Sequence, residues 1–378
     1  MSAPSALHNV ALAVERHGAF GQLWLDGMWQ GDPLADAVAA DTRAARLMRR
    51  ALADGIDAVE DAPEALQALF AALDSPPAWI DFDRCDHAAE HLVRQTREYS
   101  FVLGAASLLA GAQNTVAGKP LTFTGRYASN AAVRSIEVGI WLMSVTTPGG
   151  LSRFGKGFER TVRVRMIHSH LRAHLARRPD WDTAAWGLPI PQPYMAFTLA
   201  EFCSIALRAM AQLGVRYSDE ELEDIVHLWR CVGWLIGVED AFLPGSLDDY
   251  AHIEELYALT SPGADAGDRA FVAALSEFQA AELARVLPRR LAPRLVHGLQ
   301  RAFVGDAVAT NLMIPDTYWK HLPRVLGPLT ALAYGAHDAL VPHGRARRTE
   351  RAFRMRDVEM ERLRSEYAVT HQLVDDAA

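Results

Sequence analysis

The stretch from about Ser100 to Ala112 contains no charged side chain and offers no polar face. A helix of that composition has to be wrapped on every side by other elements, which makes it a core helix. The rest of the chain supplies the wrapping. Residues 35–54 and 62–74 alternate apolar stripes with charge in alanine- and leucine-rich sequence, and a helical period continues almost to the C-terminus. No strand–helix–strand alternation and no internal repeat is seen, so the expected fold is all-α.

Half of the 378 residues are hydrophobic and 22% are charged, ample for a large core. Two domains are possible on length alone. The net charge of −8, with no long basic stripe before the C-terminal tail, argues against a nucleic-acid partner. Cys85, Cys203 and Cys231 are odd in number, widely spaced and in no zinc-finger pattern, so they read as small buried hydrophobes in a reducing compartment. The N-terminus has no basic segment followed by an apolar run, and Phe101–Ala112 falls short of the ~20 residues that span a bilayer. A soluble cytoplasmic protein without a transmembrane segment is expected.

Helices are predicted at about 84–98, 100–112, 129–146, 157–177 and 195–213, with Ser75-Pro76-Pro77 closing the stripe at 62–74. Lys119 to Gly125 reads as a turn or short irregular segment. Residues 178–196, with four prolines plus Trp181 and Trp186, read as an extended, partly buried cover. Ser218-Asp-Glu-Glu221 is a capping box starting a helix through Trp229 and Ile236. Two or three helices fill 247–313 and another lies near 316–338. From Arg345 to Glu366 charge of both signs dominates. One thin stripe (Phe353, Met360, Leu363, Tyr367) could dock on the body or on a second copy, but the segment reads chiefly as a solvated helix. The resulting organisation is an extension over 1–30, a helical domain over 31–343 and a charged tail over 344–378.

The residues that carry chemistry cluster in Arg163-Val-Arg165-Met-Ile-His168-Ser-His170-Leu-Arg172, just after the glycine-broken loop from Pro148 to Gly157. Upstream, Arg134 and Glu137 are polar intrusions in the apolar run Ala131–Val145. A neutral imidazole ligates iron well, and guanidinium groups suit carboxylates such as haem propionates. If the short loop makes the two helices antiparallel neighbours, a rise of ~1.5 Å per residue puts His168 and Glu137 at matching heights, with Arg134 a turn further on. A ligand between the helices would meet His168 on one face and the Arg134/Glu137 pair on the other. The same residues are also compatible with a surface histidine and an ordinary i,i+3 ion pair. Zinc on His170 and His174 has the right i,i+4 spacing but no third ligand nearby, and the paired Glu-x-x-His motifs of a di-iron bundle are absent. Glu223 and His227, four apart, read as surface partners.

Several short segments in order resemble the latex-clearing-protein and MpaB-like oxygenase family. They are Gly31-Asp-Pro-Leu-Ala-Asp-Ala-Val38, Pro76-Pro-Ala-Trp-Ile-Asp81, Leu121-Thr-Phe-Thr-Gly125, Arg134-Ser-Ile-Glu137, Arg165-Met-Ile-His168-Ser-His-Leu-Arg172, Trp229–Gly237 followed by Pro244, and Leu312-Met-Ile-Pro315. The resemblance implies a globin-like helical core that binds haem b and uses dioxygen on hydrophobic, often isoprenoid, substrates; a histidine-ligated haem could take peroxide as well, and a small or medium apolar substrate is expected here. By position, His168 resembles the proximal iron ligand and Arg134 the arginine near the distal pocket. Rubber-cleaving members can place a lysine, followed by threonine, at the sixth iron position. Glu137 and Val138 stand there in this chain, which speaks against polyisoprene cleavage. Paired with Arg134, Glu137 would stay ionised; desolvated, it would hold a proton it could pass on. Arg165 and Arg172 flank the His168 face and would hold propionates or form outward salt bridges. Buried Arg230 would need an anionic partner, a propionate or Glu137. Gly233 and Gly237 mark either close approach to the macrocycle or tight helix packing. A haem-dependent oxygenase is the expected function, with self-association into a homo-oligomer left open. The alternatives are a non-catalytic haem protein for sensing or storage, and a metal-free interaction module.

Overall fold

The computed structural model describes residues 2–123 and 131–367, and every regular element among them is helical. The first five helices are α1 (Val10–Gly27), α2 (Pro33–Ala40), α3 (Thr42–Asp54), α4 (Glu64–Leu73) and α5 (Phe82–Val93). Asp41 splits the 35–54 stripe by capping α3, accepting hydrogen bonds from the Arg43 and Ala44 amides. The N-terminal stretch is no loose appendage. α1 packs on the helix Leu247–Thr260 and sends fully buried Trp24 into the main core.

The uncharged stretch is the central element expected. α6 (Thr96–Val102) runs through a π turn, Leu103–Ser107, into α7 (Leu108–Gly111), and Val102, Ala105, Ala106 and Leu109 are all buried. A second π turn, Glu201–Ile205, interrupts the helix that begins as α12 (Gln192–Ala200) and ends as α13 (Ala206–Gln212), and the two π turns pack on each other. Gln192–Gln212 is long and apolar enough to cross a membrane, but 72% of its most apolar window is buried inside the fold, as befits a core helix. α8 (Thr115–Phe123) replaces the turn predicted from Lys119. Its Pro120 lies inside this helix of nine residues, and the Thr124–Gly125 end of that segment lies outside the described residues.

α9 (Ala131–Val145) and α10 (Lys156–Ala176) form the antiparallel pair inferred from the loop between them. The connection 178–196 is partly helical, with α11 (Thr183–Trp186) ahead of α12. α14 (Asp219–Ile236) starts from the predicted capping box, both reciprocal bonds of Ser218 and Glu221 being present. It ends at Gly237, whose φ of 91° is a left-handed C-terminal cap. α15 (Leu247–Thr260), α16 (Ala266–Leu283), α17 (Ala292–Asn311) and α18 (Pro323–Leu340) follow. α19 (Gly344–Glu366) uses its thin stripe on the body. Met360, Leu363 and Tyr367 cover Ile136 and Ile140 on the outer face of α9, and Arg356 donates to the Thr146 carbonyl. Burying those apolar groups outweighs the solvation that its charge density implied.

Candidate functional site

A cavity of about 1340 Å³ opens between α9 and α10 and reaches α3, α8 and α12. It exceeds the roughly 300–1,000 Å³ of ordinary small-molecule sites. Apolar and aromatic side chains dominate its wall, among them Trp141, Tyr194, Phe197, Phe202 and Phe271. Trp181 and Trp186 line it too, so the proline-rich connection does help to enclose it. Exposed Arg46, Arg49 and His170 lie on its outer side.

Two contacts set how α9 and α10 align. Gly157 sits against the Ser144 carbonyl with no room for a Cβ, and Trp141 Nε1 donates to Thr161 Oγ1 at 3.0 Å. Three residues back along α9 therefore match four forward along α10. Arg134 is seven residues before Trp141 and His168 seven after Thr161, so both lie ~10 Å beyond that contact, at one level. Arg134, not Glu137, is opposite the histidine, and Glu137 lies about a turn nearer the loop. All three line the cavity.

His168 is enclosed by protein. What accessible surface it has faces the void, so it is half-buried by area yet remote from bulk solvent. Burial first, then the positive charges of Arg172 and Arg134, lower its pKa to about 4, although Asp32 opposes the shift. The ring is a neutral imidazole at physiological pH. Its Nδ1 is buried without a hydrogen-bond partner. A neutral ring on the wall of a large void is a fitting ligand for a metal-bearing cofactor, and with Nδ1 sealed in protein the nitrogen available for that is Nε2.

The other expected cofactor residues lie elsewhere. Arg165 is buried behind the histidine face, with Nε and Nη2 donating to the two Asp32 oxygens at 2.6 and 2.9 Å. Arg172 is likewise held by Asp36 and by the Ile190 carbonyl at 3.1 Å. Neither borders the cavity, so the propionate role does not fit them. The motif Gly31–Val38 is in effect the counter-ion set for the motif Arg165–Arg172. Arg230 also lies outside the lining and stacks 4.2 Å over the Trp79 ring, a π-face in place of the anion it was expected to need. The cationic side chain that α10 does turn to the cavity is Arg163, which also pairs with Glu159 at 2.8 Å. Gly233 lies against Leu199 and Leu243, and Gly237 against Asp32 and Arg165, so tight packing accounts for both glycines.

Two features escaped the sequence reading. Glu201, on the second π turn, lines the cavity, and burial alone pushes its carboxyl up to about 8. An acidic residue inside an apolar helix was its only sequence signal. Away from the cavity, Cys85 on α5 meets His227 and Cys231 on α14 in a buried group. Packing the two helices thus puts His227 in the interior rather than at the surface beside Glu223. Its Nε2 already accepts a hydrogen bond from the Asp81 amide at 3.0 Å, so the group reads as helix-packing chemistry.

Residues 93–337, well over half of the chain, match the family described as "ER-bound oxygenase mpaB/B'/Rubber oxygenase, catalytic domain". A rubber oxygenase from Streptomyces sp. (strain K30) is 30% identical over 89 residues, covering 23% of this chain and 22% of that protein. The aligned part thus spans about a fifth of the relative's own length. The solved structure of a latex clearing protein in its closed state superposes with a TM-score of 0.62 at 18% identity, over 88% of this chain and 91% of that one. At that identity the likeness establishes the shared all-α fold. On the extent of the family match, this chain is a member of the mpaB/rubber oxygenase catalytic-domain family.

Proposed function

We propose that the protein is a haem-b-dependent oxygenase acting on a hydrophobic small or medium substrate, by oxidative carbon–carbon cleavage or oxygen insertion. The observation that carries this reading is His168: a neutral, unpartnered imidazole on the wall of a large apolar cavity, with Arg134 level with it on the facing helix. The cavity volume supports a cofactor and a substrate together. When bound, the haem supplies an iron that takes up dioxygen or peroxide.

The chain's own residues have separable tasks. His168, kept uncharged by burial and by two arginines, presents a lone pair at all but acidic pH. Arg134 would donate hydrogen bonds to negative charge that develops on an oxygen in the cavity. Arg163, Arg46 and Arg49 replace Arg165 and Arg172 as the guanidinium groups able to hold the cofactor's carboxylates. The aromatic wall excludes water and accepts an apolar substrate. Glu137, where rubber-cleaving members can carry a lysine, would put a carboxylate rather than an amine on this wall of the cavity.

Absorption spectroscopy after expression with adequate haem, or after reconstitution, tests the reading. A Soret band together with substrate-dependent oxygen or peroxide consumption is expected. Absence of the band in both preparations refutes haem binding. A band without any such consumption would favour sensing or storage.

A further inference from the structure

Glu201 differs from every other charged residue on the cavity wall. It is sunk among apolar side chains, its Oε1 pressed against Gly111 so closely that a Cβ there would collide with it. The Gly111 carbonyl is already the acceptor for the Tyr257 hydroxyl at 2.6 Å. Among the described residues no cation and no hydrogen-bond donor offsets its burial, which by itself raises the carboxyl to about 8. The side chain sits at the first residue of the π turn, a local widening of the helix that recurs at functional sites. A buried acid left unmatched in an apolar wall is costly, and the missing partner must come from within the void.

Resting on the cavity assigned above, we infer that Glu201 anchors the single polar oxygen of the cavity's ligand, so that the ligand is an apolar molecule bearing one carbonyl or hydroxyl group rather than a bare hydrocarbon. A protonated carboxyl both donates and accepts, and so matches either oxygen. The rest of the wall contacts the hydrocarbon part. Glu201 is thereby a specificity-determining residue, distinct in place and chemistry from Arg134 and His168.

The test compares undecan-2-one with undecane, binding each to the full-length, haem-loaded protein by displacement of an apolar fluorophore. The ratio of the two affinities in wild type is divided by the same ratio in Glu201→Leu, which cancels the difference in water solubility. This double ratio should be about five to ten, the worth of one neutral hydrogen bond, and Glu201→Gln should keep most of the ketone preference. Infrared spectra of wild type at neutral pH should contain a protonated-carboxyl stretch that is missing in Glu201→Gln. A double ratio of one, loss of that stretch from wild type, or failure of wild type to bind either ligand each overturns the proposal. If no haem is taken up, the same ligand comparison on the protein as purified still decides the role of Glu201, so failure of the haem reading is recognised separately.

Discussion

The two sides of α10 make opposite use of similar residues. On the inner side Arg165 and Arg172 are buried and clamped to Asp32 and Asp36 on α2. On the side facing the cavity His168 is buried and unmatched, with Arg134 across from it and Arg163 a turn and a half away on its own helix. A buried charge that already has its partner holds helices in place. A polar ring that borders a void without one is available to a bound group. One helix thus fixes the scaffold with one side and presents chemistry with the other.

The comparison breaks most visibly if the inner face is disturbed. Arg165→Met strands Asp32 beneath α10 and should cost about 3–5 kcal/mol in denaturant unfolding. Arg165→Met combined with Asp32→Asn, which keeps an N-cap for α2, should recover much of that loss. Equal destabilisation of the single and double variants would contradict the role assigned to the pair. On the cavity side, Arg134→Ala should leave stability and haem content near wild type while lowering substrate turnover about 10²–10³-fold. A variant that lost haem instead would show Arg134 holding the cofactor.

Two perturbed groups on the cavity wall predict opposite pH slopes for the haem-free protein. His168 titrates near 4 when folded against about 6.5 unfolded, so the unfolded chain binds a proton that the folded chain refuses across that interval. Stability should fall as pH drops from about 6.5 towards 4, and His168→Leu should flatten that limb. Glu201 is raised to about 8, so its contribution is present at low pH and is lost as pH rises from the ordinary carboxyl range through 8. Glu201→Gln should shallow the alkaline limb in thermal melts across pH. The smallest effect expected is for Trp141→Phe, which removes one interhelical hydrogen bond between α9 and α10 for about 1 kcal/mol.

Much of this was legible in the residues themselves. The uncharged run marked the central helix, the Ser218 box marked the start of α14, and the histidine and arginine that face one another were both singled out. What stayed hidden depended on distant parts of the chain. Nothing near Arg165 or Arg172 showed that carboxylates from α2 would neutralise them, so their position beside His168 looked like cofactor binding. The vertical offset of Arg134 and Glu137 was misjudged because helix lengths were counted from the loop, whereas Gly157 and Trp141 set the actual alignment. Glu201 was concealed because a π turn shifts its helix face relative to a regular 3.6-residue period. The C-terminal stripe was too thin to reveal that α9 offers Ile136 and Ile140 to receive it.

The most direct measurement is the Soret spectrum of His168→Ala set beside wild type, both reconstituted with haem and checked for helicity and melting temperature. A folded variant that has lost the band, next to a wild type that keeps it, is the predicted result. A folded variant retaining haem at the wild-type level would contradict the assignment of His168 as the iron ligand.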